Sequence, residues 1–286
     1  MKKMVSILLV VAMMAAMLTA CGGKTDETKK ETTKETQAAS ETKASEETKA
    51  SEETEAAGET VAAGDSDTLI MATEAGFAPY EYTEDGSTVI GVDVDIANEI
   101  AKAMGKTLEI QNMTFDGALI AVQQGKADFA AAGISVTEER KASMDFTVEY
   151  ATSRQVIVVN KSADKIKSAE DITADTIVGV QLGNVADSYC SDEMDCQVNQ
   201  YQKFLEAAQD LKNNKIDCIV MDSLPAEEMV KANDDLMILD GELFTDKYAI
   251  AVQKGNTEML DAINEVLEKL MADGKIEEFT IAHTTK

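Results

Sequence analysis

Histidine is nearly absent from this chain: it occurs once among 286 residues, as His283, in what reads as a C-terminal tail. That scarcity excludes acid-base or triad chemistry built on imidazole. No zinc-ligand spacing, phosphate loop or nucleophile with a nearby base takes its place. Basic residues are scarce as well. Lys and Arg number 26 against 53 Asp and Glu, a formal net charge of −27. No basic face is left to neutralise nucleic-acid phosphates, and electrostatic attachment to anionic lipid is excluded on the same ground. Long apolar runs are confined to the N-terminus, so no later segment is expected to cross a bilayer. Cysteine occurs four times, at Cys21, Cys190, Cys196 and Cys218. Cys190 and Cys196 flank a polar loop and admit two readings, a local disulfide or two free thiols. Cys218 lies in an apolar run and reads as a buried thiol.

What is present at the N-terminus is an export signal. Met1-Lys2-Lys3 is followed by an apolar run over residues 5–18 and by Leu18-Thr19-Ala20-Cys21. The run is too short to span a membrane, and small residues precede the cysteine. The ending resembles a bacterial lipobox, which would make residues 1–20 the signal and Cys21 the lipidated first residue of the mature chain. An ordinary secretory signal would instead leave Cys21 a stray thiol. Residues 21–66 are almost entirely Glu, Thr, Lys, Ala and Ser, with no aromatic side chain. Such a segment cannot bury enough to offset its ordering entropy, and a disordered tether is expected.

Beyond it, strand and helix patterns alternate. Leu69-Ile70-Met71-Ala72-Thr73 reads as a strand, residues 74–80 as a loop marked by Gly76 and Pro79, and residues 89–96 lead into a helix that runs to about Met104 and is stopped by Gly105. A strand over 107–112 and a helix over 115–124 follow. This alternation predicts βαβ units on largely parallel sheets. Residues 118–133 then match residues 207–222, each a helix, a Gly or Asn stop, a Lys-x-Asp step and an apolar strand. Two lobes with one unit apiece would place Gly133 and Asp222 at equivalent strand ends facing one cleft. Residues 154–160 and 248–252 are the extended runs suited to cross between lobes. The expected division is 67–154 plus 246–286 for the first lobe and 155–245 for the second, with a closing helix at 257–272 packed on the first.

The stretch at residues 128–140 concentrates the chemistry. An apolar strand run breaks at Gly133, and Ser135 or Thr137 followed by acidic residues signals a helix start. A cation at such a start is disfavoured by the macrodipole, yet Arg140 stands there. Either Arg140, the Ser135 hydroxyl and nearby amides converge on a ligand carboxylate, or Arg140 pairs on the surface with Glu139 or Asp145.

Several segments together resemble the solute-binding proteins of polar amino acid ABC importers. They are residues 72–82 around Phe77-Ala78-Pro79-Tyr80, residues 90–95, Phe115-Asp116-Gly117, residues 132–141, residues 178–183 and residues 216–223. The resemblance spans about 69–279 and implies a two-lobed α/β fold of the periplasmic-binding-protein type II class, with two hinge strands. By position it implies that Arg140 holds an α-carboxylate with Ser135 and main-chain groups at Gly133 and Val185. Asp222 would take the α-ammonium, Phe77 and Phe115 would sandwich the side chain, and Glu74 and Gln181 would line its far end. Glu74 would recruit a cationic side chain or hydrogen-bond within its own lobe. Ala132, where Ser is frequent in the family, and Gln181 leave basic and neutral polar ligands unseparated.

The resulting expectation is a monomeric, lipid-anchored protein on the outer face of the cytoplasmic membrane. It would capture a free L-amino acid for permease and ATPase partners, without cofactor, metal or catalysis. A carboxylate dehydratase on the same fold is the enzymatic alternative, and a ligand-sensing module the third. The chain's end at Lys286, soon after the closing helix, favours a standalone binder.

Overall fold

The computed structural model describes residues 67–284. The expected signal, Cys21 and the tether lie outside the described residues. In chain order the first lobe comprises β1 (Thr68–Thr73), β2 (Tyr82–Thr83), β3 (Val89–Ile90), α1 (Val92–Ala103), β4 (Thr107–Asn112), α2 (Phe115–Gln123), β5 (Phe129–Ala130), α3 (Glu138–Lys141) and β6 (Met144–Phe146). The chain continues through β7 (Ala151–Asn160), β8 (Ile177–Gln181), α4 (Val185–Asp192), β9 (Gln197–Tyr201), α5 (Phe204–Lys212), β10 (Cys218–Asp222), α6 (Ser223–Ala232), β11 (Leu236–Ile238) and β12 (Phe244–Tyr248). It returns to the first lobe with β13 (Ala251–Gln253), α7 (Thr257–Ala272) and α8 (Lys275–Thr284).

Two mixed sheets result. The first has the order β4-β1-β5-β13-β6, and the second β11-β7-β10-β8-β9 with β12 also on β7. Helical crossovers make β4, β1 and β5 parallel in one and β10, β8 and β9 parallel in the other. Strands that arrive from the other lobe run the opposite way, so Ala251 of β13 meets Ala130 of β5 antiparallel. β7 and β12 lie antiparallel from Ala151 opposite Tyr248 to Gln155 opposite Phe244. The boundaries expected at 154/155 and 245/246 fall within this paired stretch, which carries the chain between lobes in both directions.

Helical spacing explains what covers the first sheet. Val92, Ile96 and Ile100 of α1, and Met259, Ile263 and Leu267 of α7, recur four apart and are buried in one cluster with Leu69, Met71 and Phe129. Each such aliphatic side chain contributes roughly 1.5–3 kcal/mol when fully buried. His283, expected in a tail, instead lies in α8 over residues 275–284. Gly274, at φ +69°, ends α7 but does not end the fold, because Ile276 returns to the core. His283 is held there by Tyr82 Oη at 3.1 Å and Asp95 Oδ2 at 3.0 Å.

The repeated unit is visible in three dimensions. Gly125 and Asn214, 89 positions apart, both take positive φ after their helices, at +66° and +53°. Lys126 and Lys215 then donate backbone N–H to Ala121 and Asp210 carbonyls. Asp128 accepts the Ile70 amide at 2.7 Å, and Asp217 the Ile177 amide at 2.8 Å. Each Lys-x-Asp step thus fastens its strand to the neighbouring parallel strand.

Cys190 and Cys196 are not joined. Both are free thiols, and Cys196 Sγ lies 3.6 Å from the Cys190 carbonyl oxygen. Burial pushes the Cys218 thiol up to about 12 and the Cys190 thiol higher still, so neither supplies a thiolate at neutral pH.

Candidate functional site

The cleft between the lobes collects residues from separate places along the chain. β5 ends at Ala130, and Gly133 turns the backbone with φ +54°. A Cβ there would also stand 2.6 Å from the Phe77 ring, so both conformation and space require glycine. The Gly133 amide is directed away from any ligand, donating to Asp93 Oδ2 at 2.9 Å, and Tyr150 Oη donates to Asp93 Oδ1 at 2.7 Å. Burial raises Asp93 to about 6 and neighbouring Glu81 well above its ordinary range, Asp93's charge adding to the latter. Beneath the turn lies a buried carboxyl pair that sequence reading missed, because nothing in the pattern separates these acids from surface ones.

α3 is shorter than the start signal at residues 135–139 suggests. Thr137 caps it, accepting the Arg140 amide at 3.1 Å, but only four residues are helical before Ser143 and β6. One turn carries little macrodipole, so the expected conflict between Arg140 and a helix start is weak. Among the described residues the Arg140 side chain makes no ion pair within 4 Å with Glu139 or Asp145, and Asp145 binds Lys254 Nζ at 2.6 Å. Half-buried Arg140 donates instead to the Ser135 carbonyl at 2.5 Å and, across the cleft, to the Gly183 carbonyl at 2.8 Å. Its guanidinium carbon lies 5.4 Å from the centre of the Phe115 ring. Burial draws its pKa down to about 10 against the opposing pull of Asp246, Glu139 and Asp222.

The opposite end is acidic. β10 runs out at Asp222, whose Oδ1 accepts the Tyr248 hydroxyl, and Asp246 of β12 accepts the Ser135 hydroxyl. Burial and the nearby Asp246 charge raise Asp222 to about 6, and burial likewise raises Asp246. Asp246 is a second acid of the cleft that the sequence does not mark. It stands opposite Ser153 in the β7–β12 pair, and only the folding of that pair brings it to Ser135 and Gln155.

Aromatic rings and a polar set complete the walls. Phe77 stacks at 6.0 Å on Phe204, the first residue of α5, as Phe115 is the first of α2. Phe204 is therefore the second-lobe counterpart of Phe115, again 89 positions on. Glu74, 2% exposed at its side chain, reaches into the other lobe, accepting Gln181 Nε2 at 3.0 Å and standing 3.4 Å from Lys203 Nζ. Gln181 also donates to the Gln202 carbonyl at 3.1 Å. Burial raises the Glu74 pKa against the pull of Gln181 and Lys203. Val185 opens α4, so its amide is among the donors that a helix start leaves without an intrahelical acceptor. A separate groove of about 780 Å³ lies among α1, α7 and α8. It holds none of these residues.

The sequence and the fold both have counterparts among known proteins. The sequence profile of the bacterial extracellular solute-binding proteins, family 3, matches residues 69–283. The chain belongs to this family. The arginine-binding extracellular protein ArtP of Bacillus subtilis is 32% identical over 73% of this chain and 83% of its own length. The substrate-binding protein AbpA of an amino acid ABC transporter from Streptococcus pneumoniae, solved bound to L-arginine, is 31% identical, covers 75% of this chain and 93% of its own, and superposes with a TM-score of 0.71. An ancestral arginine-binding protein bound to glutamine is 37% identical, with coverages of 77% and 99% and a TM-score of 0.70. The fold is thus the type II periplasmic-binding-protein fold, and the protein is a solute-binding protein and not an enzyme.

Proposed function

We propose that the chain captures a free L-amino acid with a basic or polar side chain, L-arginine being the first to test, and passes it to an ABC permease and its ATPase. The carrying observation is the pairing of two incompletely compensated ends in one cleft. Among the described residues Arg140 has only carbonyl acceptors at hydrogen-bonding distance, whereas Asp222 and Asp246 crowd two carboxylates together. A zwitterion supplies an anion to one and a cation to the other, which is what buried charges need to be tolerated. In that reading the Val185 amide assists Arg140, Ser135 joins them by turning its one hydroxyl proton from Asp246 to the ligand, and Phe77 and Phe115 enclose the side chain. The Gly133 amide serves Asp93 and leaves its carbonyl as the group available to a ligand.

Glu74 favours a cationic side chain, because its carboxylate is buried at the second-lobe boundary and its Oε1 faces an ammonium, that of Lys203 at 3.4 Å. The relatives that bind arginine support this. Gln181 supports a neutral amide as the second reading, in line with the glutamine-bound relative. The protein acts as a monomer tethered through lipidated Cys21 to the outer face of the membrane, the acidic composition and the Leu18-Thr19-Ala20-Cys21 ending being the support.

Thermal unfolding of residues 65–286 against single L-amino acids tests the reading. A ligand at a hundred times its Kd adds about 2.7 kcal/mol of stability. L-Arginine is expected to raise the melting temperature. Glu74→Gln is expected to weaken arginine by about tenfold or more while leaving L-glutamine within a few-fold. No shift with any amino acid would overturn the assignment.

A further inference from the structure

α5 begins with a residue that a helix start does not favour. Thr114, Thr137, Asn184 and Asn256 each accept a backbone amide at the start of their helices. At the start of α5 stands Lys203, at the position that Thr114 occupies in the first unit, 89 residues earlier. An ammonium has no lone pair to offer an amide, and its charge opposes the positive end of the helix. Local compensation comes from Glu206 in the first turn, whose Oε2 accepts the Lys203 amide at 3.3 Å. The side chain leaves the helix start and crosses the cleft to Glu74 Oε1, at 3.4 Å. That oxygen meets the Lys203 ammonium, while Oε2 is held by Gln181. The Lys203 side chain is 43% exposed, so its ammonium has an open route back to water.

We propose that Lys203 is a specificity-determining residue of the solute site: a resident cation on Glu74 that a solute's basic side chain has to displace. The proposal rests on the reading of Arg140 and Asp222 as the clamp of an amino acid. Two cations cannot share one carboxylate oxygen without mutual repulsion, so a guanidinium gains Glu74 only as Lys203 gives it up. A neutral amide does not compete in this way, since Glu74 is already compensated and Gln181 remains to bond it. Lys203 thereby narrows the preference for basic over neutral solutes that a solitary buried Glu74 would impose. The selectivity of the pocket is set from the second lobe, by a residue placed against the preference of its own helix.

The test is calorimetric titration of L-arginine and L-glutamine into the wild type, Lys203→Thr and Lys203→Met. Threonine restores the cap found at the equivalent first-lobe position, and methionine keeps the aliphatic stem without the charge. Both variants are expected to raise the ratio of arginine to glutamine affinity by at least about fivefold. A change in helix stability alone would move both affinities together and leave the ratio in place. Wild-type binding with an unmoved ratio in the variants, or a fall in arginine affinity alone, overturns the proposal while leaving the clamp intact. Wild-type binding of neither solute overturns the proposal together with the clamp.

Discussion

The units spanning residues 115–133 and 204–222 are built alike as far as their strands and diverge at the ends. Each starts with a phenylalanine facing the cleft, stops its helix at a residue of positive φ, and fastens its strand with an aspartate to the neighbouring strand's amide. The first then turns at Gly133 and delivers Arg140 from a single helical turn. The second delivers Asp222 directly from the last position of β10. One scaffold used twice thus presents a cation from one side and a carboxylate from the other. The shared part sets distance and orientation, and the divergent part sets charge.

The largest test of this comparison removes the charges. Arg140→Ala and Asp222→Asn are each expected to cost about 3 kcal/mol or more of amino acid affinity, at least a hundredfold, because each leaves an enclosed ligand charge unpaired. Titration calorimetry reads the loss, and circular dichroism should show both variants folded. Retention of near-wild-type affinity by either one would break the symmetry between the two ends.

A smaller effect comes from pH, and its sign separates the acidic end from the basic one. Asp222 sits at about 6 in the fold against an ordinary 3.8, so the folded protein binds more protons than the unfolded chain between those values. From this group and from Asp93, at about 6, stability without added amino acid is expected to fall as pH rises from about 4 through 6. Affinity for L-arginine should move the other way. Protonated Asp222 cannot serve as counter-ion to an ammonium, so binding tightens as pH rises through about 6. Thermal unfolding with and without arginine across pH 4.5–8 reads both slopes, and an affinity indifferent to pH in that range would remove Asp222 from the ammonium site.

The smallest effect tests the shared scaffold. Asp128→Ala and Asp217→Ala each leave a strand amide without its acceptor, at a cost of about 1–3 kcal/mol. Similar destabilisation in chemical unfolding is expected from the two. A large inequality would mean that the repeat is a resemblance of pattern and not of mechanics.

Much of the scaffold was legible in the residues. The helix over Thr257–Ala272 follows from the spacing of Ile263, Leu267 and Leu270, and the repeat from Lys126-x-Asp128 and Lys215-x-Asp217, because periodicity and turn residues act within a few positions. α8 was not legible, since Gly274 looks like an ending and only the burial of Ile276 makes it a corner. At the site, Arg140 stands out in the sequence because it sits awkwardly beside a helix start. Lys203, Phe204 and Asp246 carry no such mark. Lys203 is unusual only once α5 is known to begin at Phe204, and Asp246 matters only once β12 is paired with β7.

The sequence by itself determined the alternation of strands and helices, the two related units, the scarcity of catalytic side chains and the charges available to a cleft. These depend on local spacing and composition. Tertiary structure alone decided which acids face one another, that the Gly133 amide serves Asp93, that Glu74 reaches into the second lobe, and that Lys203 meets it there. Those pairings join residues as far as 129 positions apart, from Glu74 to Lys203, across two separately wound sheets. No local rule specifies such a contact; it follows from how the hinge strands bring the lobes together.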